Sequence, residues 1–417
     1  MNLQDEPSVT SRAPGDLDRT FGTNGTMDQF AVYSRPLTFF GQRPDGKALL
    51  VGTVRNDDGF FYQLAQLLPN GKLDESFGDE GLVVGTFKKG IGASGLGAQL
   101  LDDGRIILLG AHNDGERGDA VARFLADGTL DTSFGDGGVA LIPPVFNAEH
   151  NAALQEQSEK SGTGPSTIIA VAPNGKIVIG RQRLLQQLDE NGAADLSFNK
   201  TGHIILEYVT ITAVKVSENG VITAAGSEID AAAVLRFNSD GTPDTSFSDD
   251  GILRFRAEDT DTSLSALLLR PNGSFFVAGH IDRVRNDVWG VGRRCLLAAF
   301  NASGSPNLTF NNGQPLVSEL AGAGSCVWAD LGLDTDNHII AVGSTGRRSE
   351  EISLVGRYEL SGKLDASFGQ GKGYVNSRIG IDRNLWESVL VLADKRILAT
   401  GVCRLRFEEA VVACYLG

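Results

Sequence analysis

The sequence lacks long hydrophobic runs and has little proline and little cysteine. No run approaches the roughly 18 apolar residues that a membrane-spanning helix needs, which argues against membrane insertion. Only 13 of the 417 residues are proline whereas 52 are glycine, so we expect many tight turns and not a proline-rich disordered chain. The formal net charge of −15 argues against nonspecific attraction to nucleic acid. A hydrophobic content of 41% predicts a packed core.

The four cysteines and the first residues say little about the cellular compartment. Cys295, Cys326, Cys403 and Cys414 are not spaced as metal ligands, so we expect reduced thiols in strands. The start, MNLQDEPSVTSRAPG, is polar and has no apolar signal-peptide core. A cytoplasmic location, export by a non-classical route and earlier removal of a leader all stay open.

One turn motif returns along the whole chain. The stretch GKLDESFGDEGLVV at Gly71 is followed by GTLDTSFGDGGVALI at Gly128 and GKLDASFGQGKGYV at Gly362. Weaker copies begin at Gly15, Gly192, Gly241 and Gly304. About seven copies at intervals of about 50 to 60 residues are typical of repeat architectures.

A second motif of the same period lies between the copies of the first. It reads RPDGKALLVG at Arg43, LDDGRIILLG at Leu101 and APNGKIVIG at Ala172, and it recurs four more times. An apolar strand, a turn of the Asp-Gly or Asn-Gly type and a second apolar strand predict a β-hairpin. With a third strand before LDxSFG and a fourth after it, each repeat has four antiparallel strands. The sequence therefore predicts an all-β, seven-bladed β-propeller.

The LDxSFG motif is expected to build the blades. Its Asp can accept hydrogen bonds from backbone N–H groups about two residues on, its Phe can fill the gap between blades, and its Gly residues supply positive φ. A residue needed for catalysis is rarely needed seven times, which favours a structural role over a catalytic one.

The two ends of the chain are expected to meet in one blade. The strand GTMDQF, from Gly25 to Phe30, has no earlier strand to pair with, and the last repeat has only three strands. We therefore expect the N-terminal strand to complete the C-terminal blade and remove an exposed sheet edge. The predicted organisation is an N-terminal tail over residues 1–14 and a single propeller over residues 15–417. Residues 143–165 form an inserted loop or a short helix within the propeller.

The paired hairpin and LDxSFG turn resemble the delta-60 repeat propellers, a bacterial family classed as a domain of unknown function. The resemblance runs from Gly15 to Gly417 and implies architecture only, because the family has no agreed reaction or catalytic residues. This sequence departs from the pattern where Asn199 and Ser248 replace the usual Gly and where Asn307 replaces the Asp. Those departures leave the local turn type open.

Candidate ligand-binding residues lie where the repeat is irregular. In an antiparallel blade the hairpin turn and the LDxSFG turn share one end, which we call the turn end; the other connections share the opposite, loop end. Diverse loops at one end of a regular scaffold are typical of binding faces. Trp and Arg are enriched at binding hot spots, and Trp can also stack on sugars. The candidates expected on the loop end are Trp289, Arg293, Trp328, Arg347, Arg348, Arg383 and Trp386. Alternatively, the tryptophans fill gaps between blades and the arginines pair with nearby acids.

The sequence leaves two classes of function open. No catalytic, metal-ligand or cofactor motif is recognisable, so none is assigned. The favoured hypothesis is a noncatalytic binding propeller, a monomer, that presents the Trp/Arg loop face to a protein, a glycan or another anionic ligand. The alternative is a propeller hydrolase or lactonase with a metal or acidic site at the mouth of the central channel.

Overall fold

The structure is a computed structural model that describes residues 12–28, 30, 37–115, 117–145, 168–248, 250–282, 292–320, 324–347, 350–404 and 408–417. In these residues 28 strands form seven four-stranded antiparallel sheets. The helical elements there are two single-turn 3-10 helices, η1 (Phe198–Lys200) and η2 (Asn311–Gly313). Neither has the length or the apolar character needed to cross a membrane. The predicted seven-bladed β-propeller is confirmed.

The blades follow one another along the chain, with the strands of each sheet in sequence order except in blade 7. Blade 1 contains β2 (Thr38–Gln42), β3 (Ala48–Asn56), β4 (Gly59–Leu67) and β5 (Leu82–Gly85). Blade 2 contains β6 (Ala93–Leu100), β7 (Ile106–Asn113), β8 (Arg117–Phe124) and β9 (Val139–Ile142). Blade 3 contains β10 (Ile169–Val171), β11 (Ile177–Arg181), β12 (Leu184–Leu188) and β13 (His203–Ile205). Blade 4 contains β14 (Thr210–Val216), β15 (Ile222–Ser227), β16 (Ala232–Phe237) and β17 (Ile252–Phe255).

The remaining blades keep the same pattern. Blade 5 contains β18 (Thr262–Leu269), β19 (Phe275–Ile281), β20 (Arg294–Phe300) and β21 (Leu316–Ser318). Blade 6 contains β22 (Ser325–Leu333), β23 (Ile339–Arg347), β24 (Glu350–Tyr358) and β25 (Tyr374–Ser377). Blade 7 contains β26 (Asn384–Val391), β27 (Ile397–Arg404), β28 (Glu408–Tyr415) and β1 (Thr26–Met27).

The first strand of each blade is its innermost. These inner strands contact one another in the order β2, β6, β10, β14, β18, β22 and β26, and β26 contacts β2 to complete the ring. The sheet faces pack on neighbouring blades, so the core is divided into hydrophobic clusters shared by adjacent blades. In six blades the inner strand carries a register shift at equivalent positions, and in blades 6 and 7 the extra residues are Ala329 and Glu387.

The N-terminal strand closes the last blade, as predicted. β1 pairs with β28 in antiparallel register, with Thr26 opposite Ala413 and Met27 opposite Val412. The segment before β1 adds four further backbone hydrogen bonds with the C-terminal strand region: the Gly15 and Asp18 N–H groups donate to Leu416 and Cys414, and the Leu416 and Cys414 N–H groups donate to Asp16 and Gly25. β1 is shorter than the predicted strand from Gly25 to Phe30.

The LDxSFG motif links each blade to the next at the turn end. In blade 1 the Asp74 Oδ1 atom accepts hydrogen bonds from the Ser76 backbone N–H (3.1 Å) and hydroxyl (2.7 Å). Phe77 is fully buried, and Gly78 donates a backbone hydrogen bond to Asp127 in the next repeat. The structural role predicted for the motif is confirmed.

The departures from the motif do not change the turn. Asn199, Ser248 and Asn311 have φ values of 48°, 52° and 43°, which match the 59° of Gly78 at the equivalent position. Their backbone N–H groups donate to the neighbouring repeat just as that of Gly78 does. Asn307 accepts from the Thr309 N–H and hydroxyl with its amide oxygen, as the Asp of other repeats does. The turn therefore keeps the same backbone conformation and hydrogen bonds at the positions where its amino acids differ from the motif.

The prediction of four reduced cysteines is wrong for two of them. Cys295 in β20 and Cys326 in β22 form a disulfide that joins blade 5 to blade 6. The two cysteines are 31 residues apart in sequence, and their proximity becomes visible only when the two strands are placed in adjacent blades. Cys403 and Cys414 are free and buried, as expected. The insertion predicted over 143–165 lies largely outside the described residues, which omit 146–167.

Candidate functional site

Three of the seven candidate ligand-binding residues are described at or near the protein surface. Arg347, at the end of β23, is exposed, and its side chain makes no ion pair or hydrogen bond with any residue that the structure describes. Arg383 approaches Glu351 with a distance of 3.5 Å between Nε and Oε2. Arg293 donates from Nε to Asp282 Oδ1 at 3.1 Å. Trp289 and Arg348 lie outside the described residues.

The expectation of exposed indole rings is wrong for Trp328 and Trp386, which are each 1% exposed. Trp328 belongs to the hydrophobic cluster of blades 5 and 6 and meets Tyr358 edge to face, with ring centroids 6.2 Å apart. Trp386 belongs to the cluster of blades 6 and 7 and donates from Nε1 to the Tyr415 hydroxyl at 3.1 Å. β22 and β26 begin before the tryptophans, so both rings follow the strand pleat into the gap between blades. The two rings stabilise the core and offer no surface to a ligand.

The connection from blade 6 to blade 7 is fixed in place at the loop end. The amide oxygen of the buried Asn384 accepts hydrogen bonds from the backbone N–H groups of Ile379 (2.8 Å) and Gly380 (2.6 Å). The Ile381 N–H donates to the carbonyl of Arg404, and the Arg404 N–H donates to the carbonyl of Arg383. This backbone is held from both sides, so the side chains that it carries are presented in a defined geometry.

Ile381 is the exposed residue that this connection presents. Its side chain is 69% exposed, although isoleucine is among the residue types most often buried. Arg383 lies two residues further on, and the Arg404 guanidinium pairs with Asp382 at 3.2 Å. We use the term blade 6–7 patch for Arg347, Ile381, Arg383 and Arg404.

Sequence reasoning from Trp and Arg missed the exposed apolar residues of the loop end. Besides Ile381, they include Tyr208 between β13 and β14, at 60% exposed, and Ile229 between β15 and β16, at 93%. A signal was available, because each is a large apolar residue inside an otherwise polar connection outside the strand pattern. Scattered exposed apolar residues are common, so the signal becomes informative only with the geometry.

The inner strands bring two acids close to the axis of the propeller. Asp330 accepts hydrogen bonds at Oδ2 from the Val389 N–H (3.0 Å) and the Ser388 hydroxyl (3.1 Å), and burial raises its pKa. Burial also raises the pKa of Glu387 to about 7, although the nearby Arg383 charge acts to lower it. Among the residues that the structure describes, no three His, Cys, Asp or Glu side chains are placed to hold a metal ion. Asp330 is thus engaged in structural contacts, whereas the Glu387 carboxylate has no hydrogen bond to any residue that the structure describes.

The repeat geometry agrees with a comparison against known protein families. The model of the family "Domain of unknown function (DUF5122) beta-propeller" matches residues 43–77, 101–134 and 218–247. Three segments of the chain are thus similar to the repeats of this β-propeller family. Each matched segment lies between the turn-end hairpin and the Phe of LDxSFG, in blades 1, 2 and 4. Each DUF5122 match therefore covers the second and third strands of a blade with the loop-end connection between them, and leaves out the fourth strand and its connection to the next blade.

A comparison with solved structures finds matches at low sequence identity and with TM-scores below 0.5. Sqt1 from Chaetomium thermophilum is 11% identical, with a TM-score of 0.47 over 94% of this chain and 98% of that chain. A calcium-binding regucalcin from Agrobacterium tumefaciens is 12% identical, with a TM-score of 0.36 over 78% of this chain and 91% of that chain. A protein of unknown function from Bacteroides caccae is 11% identical, with a TM-score of 0.39 over 72% and 87%. No curated protein matches the sequence at a significant level.

Proposed function

We propose that this chain is a noncatalytic binding propeller that contacts an acidic protein through the loop end of blades 5–7. The observation that carries the proposal is the exposed Ile381, held by Asn384 and flanked by Arg383. An apolar side chain on a fixed backbone, with an arginine two residues further on, resembles the centre of a protein interface. Arg347 adds an exposed positive charge without a partner among the described residues.

A protein ligand suits this patch better than a glycan does. Sugar faces are recognised by stacking on flat aromatic rings, and the two described tryptophans are buried. Ile381 offers a branched aliphatic side chain, which fits an apolar pocket or ridge on a protein. The arginines select acidic partners even though the whole chain has a formal net charge of −15.

The test is to probe the purified protein against an array of acidic peptides and folded acidic proteins and, in parallel, an array of sulfated and uronic-acid glycans. Any ligand found is then titrated against Ile381→Asp and Arg347→Glu. We expect each change to weaken binding by about tenfold or more, because each alters a central contact. Binding only to glycans would contradict the choice of a protein partner.

Matched control variants place comparable changes at the turn end. Leu308→Asp alters an aliphatic residue that is 75% exposed, and Lys363→Glu reverses an exposed charge in the same blade as Arg347. Both controls should bind as the unaltered protein does. Equal effects of the loop-end and turn-end changes would refute the assignment of the binding face.

A second candidate, a hydrolase that acts in the channel, is favoured by one group. Glu387 has a pKa of about 7, a value suited to proton transfer near neutral pH. Under this alternative, hydrolysis of an aryl lactone such as dihydrocoumarin should be detectable and should be lost in Glu387→Gln. Rates equal to the uncatalysed reaction would exclude Glu387 as a general acid or base toward that substrate.

A further inference from the structure

A cleft of about 730 Å³ opens between blades 4 and 5 at the turn end, away from the loop-end patch. Blade 4 contributes Lys215, Thr223 and the hairpin over residues 216–221. Blade 5 contributes the hairpin over residues 268–273 and Phe275. The volume falls in the range of small-molecule sites, which is about 300 to 1,000 Å³.

Blade 4 has a short side chain at a hairpin position that borders the gap to the next blade. A shared backbone hydrogen bond across each hairpin makes Ser217 equivalent to Arg43 of blade 1 and to Leu101 of blade 2. The Arg43 guanidinium reaches into blade 2 and donates to the carbonyl groups of Gly104 and Ala126. Ser217 is too short to make such contacts, and the Ala302 carbonyl, which is equivalent to that of Ala126, accepts a hydrogen bond from Arg236 of blade 4 instead.

A second substitution changes the lining of the same cleft. In five blades the last residue of the hairpin turn is a cation or a histidine that approaches the LDxSFG Asp, for example Lys47 and Asp74 at 3.0 Å. The equivalent residues in blades 4 and 5 are Val221 and Ser274. Val221 lines the cleft and places an apolar side chain where five other blades have a cation or a histidine. The Ser274 hydroxyl donates to Asn272 Oδ1 at 2.7 Å.

Lys215 lies deep in this cleft on the inner strand β14. Strand register makes it equivalent to Gly41, Ala170 and Gly332 of other blades, so its charge is particular to blade 4. Burial lowers the pKa of Lys215, while the Asp330 carboxylate acts to raise it. In the part of the chain that the structure describes, no hydrogen bond or ion pair engages its ammonium group.

Lys215 is half-buried, and its ammonium group is attracted by the Asp330 carboxylate without a direct ion pair among the described residues, so an anionic ligand in the cleft would add a direct counter-charge. We propose that the cleft binds a small organic anion. The Lys215 ammonium group would contact the carboxylate, sulfonate or phosphate group of the ligand. The apolar side chains of blades 4 and 5 would contact the hydrocarbon part of the ligand.

The walls of the cleft fit such a ligand. Val216, Val221, Leu268 and Phe275 supply apolar surface, and the Thr223 hydroxyl lies opposite Lys215 in the strand register. Arg270 adds a cation, whereas the exposed Glu218 is the acid that the ligand must avoid. Arg236 is engaged elsewhere: it donates to Asp244 at 2.7 Å and to the Ala302 carbonyl, which fixes one wall.

Two fluorescent probes of similar shape test the proposal on the full chain. 8-Anilinonaphthalene-1-sulfonate carries one anionic group, and N-phenyl-1-naphthylamine has the same rings without it. We expect the sulfonate to bind with a stoichiometry near one and more tightly than the neutral probe. Lys215→Met should weaken sulfonate binding by about tenfold or more and leave the neutral probe nearly unchanged. Lys363→Met, at an exposed turn-end site in blade 6, is the control and should bind the sulfonate normally.

A second variant keeps the test decisive if Lys215→Met does not fold. Ser217→Leu places in blade 4 the residue that blades 2 and 7 already carry at that position, which fills the cleft without changing any charge. It should also weaken sulfonate binding by about tenfold. The proposal is overturned if the sulfonate does not bind at millimolar concentration, if both probes bind equally, or if neither variant weakens sulfonate binding.

Discussion

The Ser388 hydroxyl donates a hydrogen bond of 3.1 Å to Asp330 Oδ2 and accepts one of 3.2 Å from the Phe39 backbone N–H. These contacts connect the inner strands of blades 6, 7 and 1. Val389, which follows the bulge in β26, also donates its N–H to Asp330 Oδ2 at 3.0 Å. The ring is therefore joined at its inner edge by side chains and at its outer edge by β1.

Asp330→Ala should destabilise the protein. The change leaves the Val389 N–H without its acceptor, and an unsatisfied buried donor costs about 1 to 3 kcal/mol. Urea unfolding followed by circular dichroism measures the loss. Asp336→Ala is the control, because Asp336 is exposed at a turn and pairs only with Lys395 there. Equal midpoints for the two variants would contradict the role given to Asp330.

The LDxSFG aspartates predict a loss of stability in acid. A hydrogen bond from the Ser133 hydroxyl, together with Arg123, lowers the pKa of Asp131 from 3.8 to about 2 against the effect of burial. Because the folded-state pKa is depressed, this stabilisation is present above pH 4 and is lost as the pH falls toward 2. Asp131→Asn should cost about 1 to 2 kcal/mol at pH 7 and less at pH 2. Asp136→Asn, a change at an exposed position, should alter the stability neither at pH 7 nor at pH 2.

The architecture was predictable because its determinants repeat. Seven copies of a hairpin and a turn leave little freedom in blade number, and the unpaired strand near Gly25 indicated the closure. Some contacts between side chains could be recognised only in the structure. An example is the ion pair between Lys47 and Asp74, which lie in different motifs. Blade 5 lacks both charges of this pair, since Ser274 and Asn307 occupy the two positions.

The candidate site was harder to predict because it depends on side-chain direction at strand ends. Trp328 and Trp386 were assigned to the loop face from their position in the repeat. The inner strands extend past them, which turns both rings into the core. Ile381 is an apolar residue that is exposed instead of buried. Asn384, which belongs to neither repeated motif, fixes the connection that carries Ile381 by hydrogen bonds to its backbone. No local pattern in the sequence specifies either outcome.

The disulfide between Cys295 and Cys326 predicts a definite labelling pattern. Iodoacetamide added to the denatured, unreduced protein should modify two of the four cysteines, and all four after reduction. Cys295→Ala combined with Cys326→Ala should lower the stability by about 3 to 4 kcal/mol, the chain-entropy value for a loop of this length. Modification of all four thiols without reductant would show that the bond is absent.

Glu387 predicts a pH dependence of stability near neutrality. Burial raises its pKa from 4.5 to about 7, so the folded state favours the protonated form. Between pH 4.5 and 7 the unfolded chain releases this proton and the folded chain keeps it, and the stability therefore falls as the pH rises. The full shift corresponds to at most about 3 kcal/mol.

Glu387→Gln keeps the shape without the charge, so it should melt at a higher temperature than the unaltered protein at pH 8. The difference should shrink toward pH 4.5. Glu350→Gln, at an exposed position of the loop end, is the control. A Glu387→Gln melting curve that follows the unaltered protein across this range would show that Glu387 ionises freely in the channel.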